Sequence, residues 1–489
     1  MEKKQGGALA FFKLEEHGTN VRTEVVAGLV TFVTMAYIII VNQSILSMTG
    51  IPAGAVILAT CIAALIGTFM MVLANVPFAQ APGMGLNAFF TFTVCFGLGF
   101  SWQQALAMVF ICGIINFIIT VTNIRKLIIV SIPKELQSSI GVGIGIFIAY
   151  IGIKNAGFLS FTIDPGTYIM LGDGNPATTT IIANSSVIPG LVAINSPELI
   201  MAVVSIIVMI ILVVIEVVGK RLKGAILISI IGTTIIGGFV GLTSVDFSGY
   251  MATLSQSFSD LGGVFGESVR AVPSLFADST KILMVLVTIF AFSLTDTFDT
   301  IGTLLGTGRG TKIFTDEEIR EVATLKGFKT RLEKALLADS LATSIGSLFG
   351  TSNTTTYIES GAGIAAGGRT GLTSVMTCIC FAASMFLAPL VLAVPGWATA
   401  PALIVVGVFM ASALRDIEWS IDNIVTTFPA FLTGVFMAFS YSITTGIAIG
   451  FLVFCVTKIA SGKVKEIHPV LGIVTILFML NFLFNALGL

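Results

Sequence analysis

Apolar runs of helix length recur along the whole chain, separated by polar or Gly- and Pro-rich connectors. In the first half they cover Val25–Leu46, Pro52–Ala74, Gln104–Thr122, Ser138–Ile153, Leu199–Val218 and Ala225–Leu242. In the second half they begin at Ile282 and continue over Leu336–Gly350, Leu372–Val394, Ala400–Leu414, Phe428–Tyr441 and Ile443–Ile459. Runs near twenty residues predict membrane-spanning α-helices, whereas a membrane barrel would show short alternating segments. Two stretches break the pattern. Val76-Pro-Phe-Ala-Gln-Ala-Pro-Gly-Met-Gly-Leu-Asn-Ala-Phe-Phe90 carries two prolines and two glycines, which no continuous helix tolerates, so the third span reads as an extended entry followed by a half-helix over Ala88–Gly97. Thr351-Ser-Asn-Thr-Thr-Thr-Tyr357 is polar and β-branched, suited to an extended strand, and the half-helix Ile358–Ala366 follows it. Residues 245–280 read as an amphipathic connector. Residues 470–488 form a further apolar segment, either a fifteenth span or an interfacial helix.

The two breaks belong to an internal repeat. Leu58, Ala59, Ala63, Ile66 and Gly67 of the second span match Leu337, Ala338, Ala342, Ile345 and Gly346 of the ninth, and each segment precedes an irregular stretch and a half-helix. Seven spans per half invert the second half relative to the first. The expected fold is therefore all-α and integral to the membrane: about fourteen spans in two inverted seven-span repeats, with short strands and half-helices in spans three and ten. In secondary transporters of this plan the site lies near the midplane, where broken helices meet.

Composition and charge agree. Charged residues make up 10% and hydrophobic ones 55% of the 489 residues, against roughly 25% charged in soluble domains. The net charge of -1 offers nothing to nucleic acid. Six cysteines all lie in apolar runs and read as small buried hydrophobes, and the two histidines, His17 and His468, lie outside the runs, so neither a metal site nor a cofactor is expected. The positive-inside rule places the tail 1–22, the Arg125–Glu135 connector, Lys220–Lys223 and the basic loop 309–334 in the cytoplasm, and the loop 157–196, which lacks Lys and Arg, outside.

The chemistry gathers at three polar clusters that the repeat brings to one depth: Asn87 and Ala88 of the first half-helix, Ile358 and Glu359 of the second, and Asp296 and Asp299 of span eight. Phe89, Phe90 and Tyr357 supply apolar walls. Carboxylate and amide groups between aromatic walls suit a small polar ring. Acids at membrane depth are costly unless they face a pathway or partner, and neighbouring acids there cannot both ionise cheaply, which makes Asp299, Glu359 and Asp296 candidate proton carriers.

Taken together, Ala81-Pro-Gly-Met-Gly-Leu-Asn-Ala88, Asp296-Thr-Phe-Asp-Thr-Ile-Gly-Thr303 and Thr354-Thr-Thr-Tyr-Ile-Glu-Ser-Gly361 resemble nucleobase:cation symporters of the nucleobase–ascorbate transporter superfamily, in its azaguanine-like hypoxanthine/guanine/adenine permease branch. The resemblance implies a core domain of spans one to four (23–123) and eight to eleven (281–396), and a gate domain of spans five to seven (124–244) and twelve to fourteen (397–489). It also implies elevator-type movement between them, a plasma-membrane location and a possible homodimer. It places the base-binding acid of span eight at Asp299, which precedes x-x-Gly302, and that of span ten at Glu359 in Tyr357-Ile-Glu359. Uracil-type relatives carry a His after that Gly; Thr303 here points to purines, with the proton favoured over sodium. Guanine and hypoxanthine are favoured over adenine because their ring N1–H suits an ionised carboxylate. The alternative within the architecture is a sulfate-type anion transporter, against which the acids speak. A channel lacks its filter, and an enzyme lacks a nucleophile–base pair.

Overall fold

Span one forms as two helices, Val21–Met35 and Tyr37–Leu46, offset at Ala36. In this computed structural model residues 7–122, 132–163, 168–171, 180–183, 187–219, 222–244, 247–310, 313–314, 330–420 and 423–487 are described. Arg125 and Lys126, Lys220 and Arg221, and most of the basic loop 309–334 lie outside them. The other continuous spans of the first half are Ala53–Leu73 (two), Trp102–Val121 (four), Lys134–Asn155 (five), Pro197–Gly219 (six) and Ala225–Phe239 (seven). Those of the second half are Ile282–Gly310 (eight), Arg331–Phe349 (nine), Gly371–Ser384 (eleven), Gly396–Met410 (twelve), Ile424–Phe439 (thirteen) and Ile443–Ala460 (fourteen). Capping boxes start spans four (Ser101, Gln104) and nine (Thr330, Glu333), closing the first-turn N–H groups that a helix leaves unpaired.

Spans three and ten are broken as expected. Span three enters as strand β1 (Gln80–Pro82) and turns into the short helix Met84–Ala88, which widens into a π-helical stretch over Phe89–Gly97. The loop 157–196 departs from a plain polar loop. It folds into four strands, β2 (Leu159–Ile163), β3 (Tyr168–Leu171), β4 (Thr180–Ala183) and β5 (Val187–Leu191), paired β2 with β5 and β3 with β4 as nested antiparallel ladders. Its β-branched and aromatic content favours strands, a signal that a search for apolar helices passes over. Span ten enters as β6 (Thr354–Thr356) and continues as the helix Ser360–Ala365. The connector 245–280 contains the helix Tyr250–Val264.

The helices sort into two packing groups. Spans one, two, four, nine and eleven pack on one another, with the short elements of span ten among them; spans five, six, seven, twelve, thirteen and fourteen form the other group. The last apolar segment is a helix, Pro469–Leu487, packed against spans eight and fourteen. The N-terminal segment lies on the first group, where Phe12 and Leu14 pack against Val72, Leu372 and Val375.

Glu24, in the first turn of span one, is fully buried. Its carboxylate accepts hydrogen bonds from the backbone N–H groups of Arg369 (2.9 Å) and Thr373 (3.0 Å) and from the Thr373 hydroxyl (2.5 Å), at the start of span eleven. A helix N-terminus leaves N–H groups unpaired, and these supply the buried carboxylate with its donors.

The repeat is visible atom by atom at its two matched glycines. A Cβ on Gly67 would meet Gln80 Cβ of β1 at 3.0 Å and Ala342 Cβ of span nine at 3.1 Å. A Cβ on Gly346 would meet Thr354 Oγ1 of β6 at 2.7 Å and Ala63 Cβ of span two at 3.3 Å. Each glycine makes room for the strand of its own half and for the matched alanine of the other half, as an inverted pair of helices requires. Gly67→Val and Gly346→Val are each expected to cost about 1–3 kcal/mol through overpacking, read as a lower midpoint of thermal unfolding in detergent. An unchanged midpoint for both would contradict this packing.

Candidate functional site

Strands β1 and β6 pair antiparallel, Gln80 with Thr356, Ala81 with Thr355 and Pro82 with Thr354. Tyr357 N donates to Ala79 O (3.0 Å) and Gly83 N to Asn353 O (2.9 Å), so the ladder extends past both ends. Each strand hands over to its half-helix at once, which brings both helix N-termini to the crossing. Ser360 Oγ accepts from Ala79 N at 3.0 Å and ties the second helix to the first strand. Backbone polar groups left open at such a crossing must find partners or ligand, because hydrocarbon offers none.

Glu359 lies at the start of the second half-helix, partly exposed, and accepts a 2.5 Å hydrogen bond from the Tyr37 hydroxyl. Tyr37 is the first residue after the offset in span one, which sets its ring against span ten. Tyr357 is buried and donates to Pro82 O (2.6 Å), and Ile358 beside it is 64% exposed. Asp299 of span eight is also partly exposed and within hydrogen-bonding reach of the Thr355 side chain. Asp299, Glu359, Tyr357 and Tyr37 are close enough to act on one another electrostatically. Phe89 is fully buried against Phe292, ring centroids 4.6 Å apart, and serves as a wall behind the site. Asn87 and Ala88 are likewise buried; Asn87 Oδ1 accepts from the Ser352 hydroxyl, so this amide knits the two breaks together.

The two acids of span eight do not converge. Asp296 is fully buried and accepts from Asn116 Nδ2 of span four at 2.8 Å. Residues three apart on a helix differ by about 60° around its axis, and here that turns Asp296 toward spans four and nine while Asp299 meets the strands. The acid that backs the site comes instead from span nine. Asp339, fully buried, accepts from Thr300 Oγ1 (2.5 Å) and from Gln80 Nε2 (3.2 Å), and Gln80 Nε2 also reaches Thr356 Oγ1 (3.3 Å). One carboxylate thus ties span eight to both strands. Asp339 and Tyr37 were not singled out from sequence. A carboxylate inside the repeat segment was the available signal for Asp339; nothing in the local pattern marks Tyr37.

Among the described residues no group of three His, Cys, Asp or Glu is placed to hold a metal ion. The paired strands, both half-helix starts and two partly exposed carboxylates come together at one crossing.

These features suit a membrane transport protein, and the chain belongs to the permease family whose model, Xan_ur_permease, it matches over residues 22–215 and 177–449. It is 37% identical to the adenine permease AdeP of Escherichia coli (strain K12) over 486 residues, 98% of this chain and 97% of that protein. It is 37% identical to the guanine/hypoxanthine permease PbuO of Bacillus subtilis (strain 168) over 484 residues, 96% of this chain and 99% of the relative. Its fold is shared with the transmembrane domain of the cyanobacterial bicarbonate transporter BicA, at a TM-score of 0.57 and 15% identity over 90% of this chain and 97% of that one. SLC26A9 has the same architecture, at a TM-score of 0.54 and 11% identity over 93% of this chain and 69% of that one. The protein is a multi-pass membrane permease and not an enzyme.

Proposed function

We propose that this permease imports a purine nucleobase together with a proton, and that Asp299 and Glu359 hold both. The observation that carries the reading is the pair of partly exposed carboxylates at the β1–β6 crossing, with Tyr37 and Tyr357 beside them. A purine presents ring N–H groups to such acceptors and flat faces to apolar walls. The full-length relatives named as adenine and as guanine/hypoxanthine permeases support the purine class. Because they are equally identical to this chain, the choice among purines rests on chemistry. Guanine and hypoxanthine offer an N1–H donor to an ionised carboxylate, whereas adenine presents an acceptor there, and we favour the former two. Two acids also disfavour an anion as cargo, even though the fold is shared with anion carriers.

Ionised groups are costly at membrane depth, so a proton arriving with the base neutralises one of the two carboxylates before the site moves, and the ring N–H is donated to the other. The proton is preferred to sodium. The two packing groups support a core (23–123 and 281–396) that moves, elevator fashion, against a gate (124–244 and 397–489), in a plasma-membrane protein with its N-terminus in the cytoplasm and a homodimeric assembly as the working unit. Asp296, turned toward span four, takes no direct part in holding the base; its burial suits a structural position behind Asp299.

Tyr37→Phe tests the outer support of Glu359. It removes a hydrogen bond to a charged acceptor, so initial uptake of labelled hypoxanthine is expected to fall roughly tenfold or more at neutral pH, with the pH optimum displaced. Unchanged uptake and an unchanged pH profile would remove Tyr37 from the site. The whole reading is tested by labelled purine uptake in cells lacking their own permeases, with and without a protonophore.

A further inference from the structure

An apolar groove of about 310 Å³ runs between span eight and the C-terminal helix. Leu283, Leu286, Val287 and Phe290 form its wall on span eight, and Leu477 and Phe478 face them from the C-terminal helix. Ser293, at the end of the span-eight wall, is the single polar residue among those lining it. Its hydroxyl is already donated to Asn116 Oδ1, whose amide donates in turn to Asp296. From Leu283 to Ser293 the lining covers roughly three helical turns, about 15 Å, close to half a bilayer's hydrocarbon thickness.

These dimensions and this lining select the occupant. Water needs two to four polar partners, and the groove offers a single hydroxyl that is already engaged. A purine would bury its N–H and carbonyl groups without partners. A hydrocarbon chain meets neither cost. The groove also opens on surface that faces the bilayer in a spanning protein: Leu286 is 52% and Leu477 43% exposed. We propose that this groove binds one acyl chain of a bilayer phospholipid, held lengthwise along span eight with its tip toward Ser293. The C-terminal helix that forms the outer wall is fastened to span fourteen, where Thr475 Oγ1 lies 3.5 Å from Cys455 Sγ and Phe478 packs edge-on to Phe451. The chain therefore lies between the span that carries Asp299 and a helix tied to the other packing group.

The test uses the full-length protein in vesicles of phosphatidylethanolamine and phosphatidylglycerol, doped with a phosphatidylcholine bearing a diazirine in mid-chain. After irradiation, labelled residues are mapped by peptide mass spectrometry. Labelling is expected to concentrate on Val287–Ser293 and on 474–478, well above that of Ile207, Ile210 and Ile211, which are exposed on span six and sample ordinary annular lipid. Leu286→Trp and Leu477→Trp each fill the groove. Displacing two buried methylenes lowers occupancy about tenfold, so labelling near Ser293 should fall by that factor in both variants while the span-six labelling stays constant. Labelling of the groove in the unaltered protein no higher than that of span six would overturn the proposal, and that comparison needs no variant to fold. So would groove labelling that neither Leu286→Trp nor Leu477→Trp reduces.

Discussion

Glu359→Gln is expected to abolish concentrative purine uptake in a protein that still reaches the membrane. Glutamine keeps the shape of the side chain and its hydrogen bond with Tyr37, but it neither accepts a proton nor offers an ionised acceptor to a ring N–H. Among the described residues Tyr37 is the only side chain that hydrogen-bonds the Glu359 carboxylate, and Asp299, close enough to act on it electrostatically, is left as a single carboxylate where base and proton together need two. Loss of a hydrogen bond to a charged acceptor costs about 1.5–3 kcal/mol, roughly ten- to hundredfold in affinity. Loss of the proton carrier removes accumulation altogether, whatever affinity remains. Initial rates and steady-state accumulation, normalised to surface protein, separate the two effects. The expected pattern is weak residual equilibration that ignores a protonophore. Full accumulation by the Gln variant would take Glu359 out of the coupling.

Asp339→Ala is expected to cause the largest loss of stability of any single change near the site. The Asp339 carboxylate holds Thr300, next to Asp299, and Gln80, which crosses to Thr356 on the partner strand. Removing it strands buried donors from two elements, at about 1–3 kcal/mol each, in a place where no water can be assumed to replace the acceptor. Thermal unfolding in detergent and purine uptake should fall together, because β1, β6 and span eight lose their common tie. Asp339→Asn, which keeps one acceptor oxygen, should recover part of both. A variant with Ala at this position that unfolds normally and transports normally would show that the strand crossing is held by its own backbone pairing.

How much of this was readable beforehand differs from element to element. The spans were legible because hydrocarbon forces long apolar helices, and the breaks at spans three and ten because proline, glycine and β-branched runs forbid helix there. The match of Gly67 with Gly346 carried more than it seemed to: both glycines turn out to seat a strand and to meet the matched alanine of the other half. The site was legible as a set of acids and less so as an arrangement. Asp296 and Asp299 share a helical face by spacing, yet that face is wide enough to send one to Asn116 and the other to the strands. Which of two neighbouring positions faces the ligand depends on how the helix is rotated among its neighbours, and tertiary packing decides that. Tyr37 was hidden for a related reason. Its role depends on the offset at Ala36 and on a residue 322 positions away, and no local pattern encodes such a contact. The loop 157–196 hid its ladders because short strands leave a weak signal beside long apolar helices.

The measurement that bears most directly on the central claim is uptake of labelled guanine, hypoxanthine, adenine and uracil into cells that lack their own permeases, with and without a protonophore. The arrangement of Asp299, Glu359, Tyr37 and Tyr357 predicts saturable accumulation of guanine and hypoxanthine, weaker uptake of adenine, and collapse of accumulation when the proton gradient is dissipated; Thr303, where uracil-type relatives carry a His, predicts no uptake of uracil. A well-expressed protein at the cell surface that accumulates no purine would contradict the account.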